Sequence, residues 1–170
     1  MPLSHKFRFI VLLLVLGSVA GCDQASKHLA RAELGPFGFV QLPGGLGELR
    51  IAENPGSFLS LGDSLPAPWR LALLTVAVAV GLFGLLAYLA FSPKVRRSPF
   101  LGLALIWAGG MSNLFDRVTR QGLVTDFVFI RVGPFHTGVF NPADVMIMLG
   151  VAALVFDQWN QRKRNALNPG

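Results

Sequence analysis

The sequence has few charged residues and a single cysteine. Charged side chains make up 14% of its 170 residues, against about a quarter in an ordinary soluble domain, while 52% of the residues are hydrophobic. Because so few polar side chains cannot cover the surface of a water-soluble domain, we expect lipid to surround most of the chain. The single cysteine, Cys22, excludes an intramolecular disulfide framework and a cysteine-rich zinc site.

Several catalytic and binding patterns are also missing. The sequence contains no glycine-rich phosphate loop, no cluster of metal ligands and no internal repeat. Its three histidines, His5, His28 and His136, stand outside any Ser-His or Cys-His motif. The formal net charge of +6 could suggest an anionic partner, but the positions of the charges are more informative than their sum.

Four apolar runs are long enough to cross a bilayer, for which a helix needs roughly 20 residues. We predict membrane spans at about residues 7–27, 69–91, 98–115 and 139–159, within a single integral-membrane domain that covers residues 1–170. The connections between them are residues 28–68 and residues 116–138. The predicted fold class is therefore an all-α membrane protein with four transmembrane helices.

The basic residues predict the orientation of these spans. Only basic residues flank the spans at one side of the membrane: Lys6, Arg8, Lys94, Arg96, Arg97, Arg162, Lys163 and Arg164. The other two connections mix basic with acidic residues. Because Lys and Arg are retained on the cytoplasmic side, we expect both termini in the cytoplasm and residues 28–68 and 116–138 outside it.

The first outer connection is predicted to form a small β-rich region between helices 1 and 2. Residues 28–68 are rich in Gly and Pro around two strand-like runs, residues 37–42 and 48–52. This region would lie at the outer membrane surface. The second outer connection either adds a strand or dips back into the interface.

The first span also has the features of a secretory signal. A basic start and an apolar core precede Val19-Ala20-Gly21-Cys22, which looks like a lipobox and would make Cys22 a lipidated N-terminus. The three later spans favour the alternative, because span one is needed to place both termini in the cytoplasm. Cys22 would then be an ordinary residue packed in a membrane helix.

Two carboxylates are candidates for catalysis. Asp144 lies inside the fourth span, where an ionisable group is costly, although Asn141 and Pro142 just before it also allow a helix-capping role. Asp126 lies between apolar neighbours on the same outer side. Two close carboxylates can share a proton, so that one acts as acid and the other as base. Their spacing in the sequence does not establish that they meet.

Further polar residues gather at the outer ends of the spans. Asp23 and Lys27 are one helical turn apart, and Asp116 could pair with the adjacent Arg117. For Lys27, Asp116 and Arg117 a surface salt bridge of little energetic value is the alternative.

Five motifs, in order, resemble the lipoprotein signal peptidase (signal peptidase II) family of bacterial inner-membrane aspartic proteases. They are Asp23-Gln24-Ala25-Ser26-Lys27, Asn54-Pro55-Gly56, Asn113-Leu114-Phe115-Asp116-Arg117, Val124-Thr125-Asp126-Phe127 and Phe140-Asn141-Pro142-Ala143-Asp144. The resemblance implies four helices with a small extracytoplasmic β-domain. It also implies removal of signal peptides from diacylglyceryl-modified prolipoproteins, by a cut just before the lipidated cysteine, without a cofactor or a metal.

The resemblance also implies roles for individual residues. Asp126 and Asp144 match the catalytic pair, and the matches to supporting or substrate-binding positions are Asp23, Lys27, Asn54, Gly56, Asn113, Asp116, Arg117 and Asn141. The loop after Asn54 departs from the family, because it reads Pro-Gly-Ser-Phe-Leu-Ser where the commoner pattern is closer to Thr-Gly-Ala-Ala-Phe. The expected partners are lipid-modified prolipoproteins and membrane lipids, without nucleic acid, and the expected state is a monomer.

Two other functions stay open on sequence grounds. A transporter or proton-coupled channel would spread polar residues through the bilayer, whereas spans two and three are nearly free of ionisable groups. A membrane adaptor would use Asp126 and Asp144 only as caps, and Asp144→Asn would leave its function intact.

Overall fold

The computed structural model describes residues 4–35, 38–56, 66–93 and 95–167. The part of the Asn54 loop that departs from the family pattern after Gly56 lies outside these ranges.

Helices account for most of the described chain. In order they are α1 (His5–Leu34), α2 (Ala67–Ala72), a π-helical turn (Leu73–Ala77), α3 (Val78–Phe91), α4 (Arg97–Thr119) and α5 (Pro142–Leu167). The helical stretches in the described ranges that are long and apolar enough to cross a membrane are His5–Leu34, Leu73–Phe91, Arg97–Thr119 and Pro142–Leu167.

The helices extend beyond the predicted spans at several ends. Helix α1 continues past residue 27 to Leu34, and α4 continues past residue 115 to Thr119, because helical hydrogen bonding does not stop where the apolar run ends. Helix α5 begins at Pro142 rather than at residue 139, since Phe140 is still paired with Val128 in a β-bridge. Proline suits this first helical position because it has no N–H to leave unpaired.

A four-stranded antiparallel sheet lies at one end of the helices. Its strands, in both chain and spatial order, are β1 (Phe39–Gln41), β2 (Gly47–Asn54), β3 (Val124–Val132) and β4 (Phe135–His136). The sequence predicted a β-rich region between helices 1 and 2, which holds only β1 and β2 of this sheet. The other two strands, β3 and β4, lie between α4 and α5, where a strand was one of two alternatives left open by the sequence. The pairing of β2 with β3 joins two connections that are distant in sequence, and local periodicity carries no information on such pairing.

Small residues let α4 and α5 approach closely. A Cβ added at Gly109 would lie 2.6 Å from the carbonyl oxygen of Ala143, and one added at Gly102 would lie 2.9 Å from that of Gly150. Contacts of this kind are typical of membrane helices, whose backbones associate through small residues. They hold the first half of α5 against residues 102–109 of α4.

The opposite end of the bundle is closed by two residues of α1. The buried Arg8 donates from Nη1 to the carbonyl oxygens of Leu89, at 3.2 Å, and Ser92, at 2.7 Å. His5 Nδ1 lies 2.9 Å from the carbonyl oxygen of Ala90. These contacts satisfy carbonyl groups at the end of α3, where a cation is also favoured by the helix dipole.

Candidate active site

The site predicted from the sequence lies where α1, α4 and α5 meet β2 and β3. Every predicted site residue falls in the described ranges: Asp23 and Lys27 on α1, Asn54 at the end of β2, Gly56 after it, Asn113, Asp116 and Arg117 on α4, Asp126 on β3, Asn141 just before α5, and Asp144 in its first turn.

Asp126 is a buried carboxylate that accepts hydrogen bonds from two side-chain amides. Asn54 Nδ2 donates to its Oδ2 at 3.0 Å, and Asn141 Nδ2 donates to its Oδ1 at 2.6 Å. Burial raises the pKa of Asp126 to about 6, and the nearby charge of Asp144 adds to this effect. The two amide hydrogen bonds and the charge of Lys27 oppose it, because they favour the ionised form.

Asp144 is the second carboxylate and is only partly buried. Its Oδ1 accepts from Asn113 Nδ2 at 2.9 Å, and its Oδ2 accepts from the backbone N–H of Asn141 at 3.1 Å. Asn141 Oδ1 in turn accepts from the backbone N–H of Asp144 at 3.0 Å. This reciprocal pair is a capping box at the start of α5, so one oxygen of Asp144 caps the helix while the other faces Asn113.

Asn141 joins the two carboxylates. Its side-chain amide contacts Asp126, its backbone N–H contacts Asp144, and its Nδ2 also lies 3.1 Å from Asn113 Oδ1. Asp126 and Asp144 therefore belong to one hydrogen-bonded network, which their sequence spacing did not establish. Asn141 is the single residue between the β-bridge at Phe140 and the start of α5, and this position brings it to both carboxylates.

A buried cluster of charged side chains contacts this network. Lys27 Nζ lies 2.7 Å from Asp23 Oδ2 and 2.9 Å from Asp116 Oδ2, and it donates to Asn113 Oδ1 at 3.0 Å. The side chains of Lys27, Asp23 and Asp116 are at most 1% exposed. The interpretation of these residues as a surface salt bridge is therefore wrong.

The same cluster ties the ends of several elements together. Asp23 Oδ1 accepts from the backbone N–H of Ala143 at 3.0 Å, in the first turn of α5. Asp116 Oδ2 accepts from the backbone N–H of Thr125 at 3.2 Å, next to Asp126. Since each carboxylate holds the backbone beside one member of the pair, the cluster fixes the positions of both.

Arg117 does not form the predicted pair with Asp116, which binds Lys27 instead. Within the described ranges its Nε is buried without a hydrogen-bond partner. Its charge interacts electrostatically with Asp144, Asp126 and Asp116, at distances beyond ion-pair contact among the described residues. Arg117 therefore supplies positive potential to the site.

Gly56 positions Asn54. Its backbone N–H donates to Asn54 Oδ1 at 2.8 Å, which leaves Nδ2 directed at Asp126. Gly56 has a φ of +99°, which strains residues with a side chain, and a Cβ there would collide with Leu74 in the π-helical turn.

Further supporting residues were not predicted from the sequence. Ser112 Oγ donates to Asp23 Oδ2 at 2.7 Å. Thr125 Oγ1 accepts from Arg31 Nη1 at 2.9 Å and donates to Glu53, which also pairs with Arg120 at 2.6 Å. Strand alternation around Asp126 could have placed Thr125 on the opposite face of β3, but no local signal identifies its partners.

The chemistry of this arrangement is that of carboxyl groups and amides. In the described ranges, no group of three or more His, Cys, Asp or Glu side chains is arranged as a metal site. Two carboxylates linked through Asn141, one of them with a raised pKa, can divide the roles of acid and base.

Two solved structures have a similar fold. Both are described as bacterial membrane enzyme structures obtained by the in meso method, at 2.3 Å and 1.9 Å resolution, and each gives a TM-score of 0.73 at 18% sequence identity. The first comparison covers 91% of this chain and 90% of the other, and the second covers 87% and 92%. At this identity the likeness concerns the fold alone.

Sequence relatives are more specific. The family model described as signal peptidase (SPase) II matches residues 14–160. A lipoprotein signal peptidase of Rhodococcus jostii is 35% identical over 161 residues, which cover 91% of this chain and 74% of the relative. One of Parasynechococcus marenigrum is 36% identical over 154 residues, which cover 89% of this chain and 90% of the relative. The chain therefore belongs to the signal peptidase II family.

Proposed function

We propose that the protein is an aspartic endopeptidase that removes signal peptides from diacylglyceryl-modified prolipoproteins, cutting just before the lipidated cysteine. Membership of the signal peptidase II family supports the activity and the class of substrate. The observation that supports Asp126 and Asp144 as the catalytic pair is their connection through Asn141, which contacts one carboxylate with its side chain and the other with its backbone.

In the proposed mechanism the two carboxylates have different roles. Burial raises the pKa of Asp126 to about 6, which favours Asp126 as the partner that holds a proton and donates it to the scissile carbonyl or the leaving amide. Asp144 is then the general base that activates water. Its Oδ1 is held by Asn113, and its position at the start of α5 is held by the capping box.

The supporting residues act through position. Asn54 and Asn141 orient the Asp126 carboxyl group, and the cluster around Lys27 holds Asn113 and the start of α5. Arg117 adds positive potential that stabilises negative charge developing on the substrate during the attack of water.

The protein is a multi-pass bacterial membrane protein. We further propose that it is a single integral-membrane domain of the cytoplasmic membrane, with both termini in the cytoplasm and the site near the extracytoplasmic surface. The sheet and the site lie at one end of the helices. The helix ends that carry only basic residues, near residues 6–8, 94–97 and 162–164, lie at the other end. We also propose that the protein is a monomer whose partners are its lipid-modified substrates and membrane lipids.

Cleavage of a defined precursor tests the catalytic assignment. Purified protein in detergent is incubated with a diacylglyceryl-modified prolipoprotein, and wild type is compared with Asp126→Asn and Asp144→Asn. Loss of a general acid or base typically costs a factor of about 100 to 10,000, so both variants should be close to inactive. Glu33→Gln, an exposed carboxylate on α1, is the matched control and should cleave normally.

The same assay separates the rival functions. An asparagine at position 144 keeps an oxygen that can accept from the backbone N–H of Asn141, so full activity of Asp144→Asn would assign Asp144 to the capping box alone and refute the pair. Equal cleavage of a precursor that lacks the diacylglyceryl group would refute the proposed substrate class without affecting the pair. A transporter would require polar groups along the helices, whereas the clustered ionisable residues of the site lie at one end.

A further inference from the structure

A cavity lies far from the site, between the beginning of α4 and the later part of α5. Its volume is about 410 Å³, and residues on both helices line it. One of them, Asp157, is separated from Asp144 by 13 residues of α5, or about 20 Å along the helix. The cavity therefore belongs to the end of the bundle at which Arg8 closes α3, and the proposed catalytic site makes no use of it.

The lining of this cavity is divided along the helix axes. The deeper part is apolar and includes Leu101 and Leu105 of α4 and Phe156 of α5. Leu101 is 55% exposed and Phe156 is 67% exposed, on helices apolar enough to cross a membrane. These side chains are therefore accessible to a lipid acyl chain.

The part nearer the helix ends is polar and carries a net positive charge. It contains Arg96, Asp157 and Arg164. The carboxylate of Asp157 is compensated, since Arg96 Nη2 lies 3.1 Å from it and the side chains of Ser98 and Gln161 donate to it. Arg164 is exposed and has no ion-pair partner among the residues that the structure describes.

The beginning of α4 adds a second feature that suits an anion. The helix starts at Arg97, and its N-cap residue, Arg96, provides no side-chain hydrogen bond to the first backbone N–H groups. These groups and the positive end of the helix dipole lie beside the same cavity. Basic pockets between membrane helices commonly bind the headgroups of anionic lipids.

We propose that this cavity binds one anionic glycerophospholipid, with the phosphate against Arg164 and an acyl chain along Leu101, Leu105 and Phe156. The polar and apolar parts match the two parts of such a lipid, and the net positive charge of the lining favours an anionic headgroup over a zwitterionic one. A free phosphate ion would use only the polar part. The proposal does not depend on the catalytic assignment.

Native mass spectrometry of the purified full-length chain in detergent tests the proposal, with phosphatidylglycerol as the added lipid. Removal of one cation from the headgroup site should weaken binding by about fivefold, so Arg164→Gln should show this loss. The matched control is Arg162→Gln, which removes the same charge from the same turn of α5 but does not line the cavity. The control should bind phosphatidylglycerol as the wild type does.

Three results would overturn the proposal. Equal losses in Arg164→Gln and Arg162→Gln would indicate diffuse attraction to the basic end of α5 rather than a site. If the wild type retained phosphatidylcholine as well as phosphatidylglycerol, the charge of the headgroup would have no role in binding. Displacement of the lipid by inorganic phosphate would show that the polar part alone carries the binding, and that the ligand is a soluble anion.

Discussion

The raised pKa of Asp126 makes the stability of the protein depend on pH, and one substitution isolates this dependence. Burial raises the pKa of Asp126 in the folded protein to about 6 from its ordinary value of 3.8. The folded state therefore binds the proton more tightly than the unfolded state does. The stabilisation from this proton is complete below about pH 3.8 and is lost as the pH rises through about 6.

Asp126→Asn removes this titration. The full shift in the pKa corresponds to about 3 kcal/mol in the free energy of unfolding of the wild type. About 2 kcal/mol of this stabilisation is lost between pH 4.5 and pH 7.5. The variant should therefore gain about 2 kcal/mol in free energy of unfolding relative to wild type over that range. For a chain of this length, the difference in thermal midpoint should change by about 4 to 8 °C.

A second effect of Asp126→Asn is constant with pH. The carboxylate accepts from Asn54 and Asn141 with separate oxygens, whereas an asparagine side chain offers one oxygen. One of these amides loses its acceptor, at a cost of about 1 kcal/mol. This cost shifts the variant equally at every pH, so only the change with pH measures the raised pKa.

Thermal unfolding of purified wild type and Asp126→Asn, measured in detergent over this pH range, provides the comparison. Glu33→Gln is the control, because an exposed carboxylate on α1 should give a constant difference from wild type. If the difference in thermal midpoint between wild type and Asp126→Asn is the same at both ends of the pH range, the pKa of Asp126 is not raised. The assignment of Asp126 as the proton donor would then lose its physical basis.

Two further substitutions test the supporting structure. Lys27→Met leaves two buried carboxylates without their cation and should reduce the free energy of unfolding by about 3 to 5 kcal/mol. The control is Lys6→Met, at an exposed position, which should unfold as the wild type does. Equal unfolding midpoints of the two variants would contradict the buried cluster. Gly56→Ala should lower cleavage at least tenfold by displacing Asn54, while Gly45→Ala, which also has a positive φ but open space around it, should retain activity. Equal activity of these two glycine variants would show that Gly56 does not position the site.

The membrane architecture was predictable because its signals are local. A bilayer requires roughly 20 consecutive apolar residues for each helix, so the four membrane-crossing helices stand out as runs in the sequence. The family was predictable for a related reason, since its motifs are short and each lies within one element or turn. Asp126 and Asp144 could be singled out as candidates in this way, because carboxylates are unusual beside apolar runs.

Burial was not predictable from the same motifs. Asp23 and Lys27 are one helical turn apart whether they lie in water or in a core, and only the packing of α4 against α1 places them with Asp116 at about zero exposure. Likewise the sequence suggested that Arg117 pairs with its neighbour Asp116. The fold gives that carboxylate to Lys27 instead, because the buried ammonium group contacts it directly.

The sequence by itself therefore determined the number of membrane helices, the family and the candidate carboxylates, because each depends on residues that are close together in the chain. Only the tertiary structure decided that β2 pairs with β3 across two connections, and that Asn141 joins Asp126 to Asp144. These contacts link residues far apart in the chain. They depend on how the elements pack, as at the small residues where α4 and α5 approach closely and bring the start of α5 beside α4.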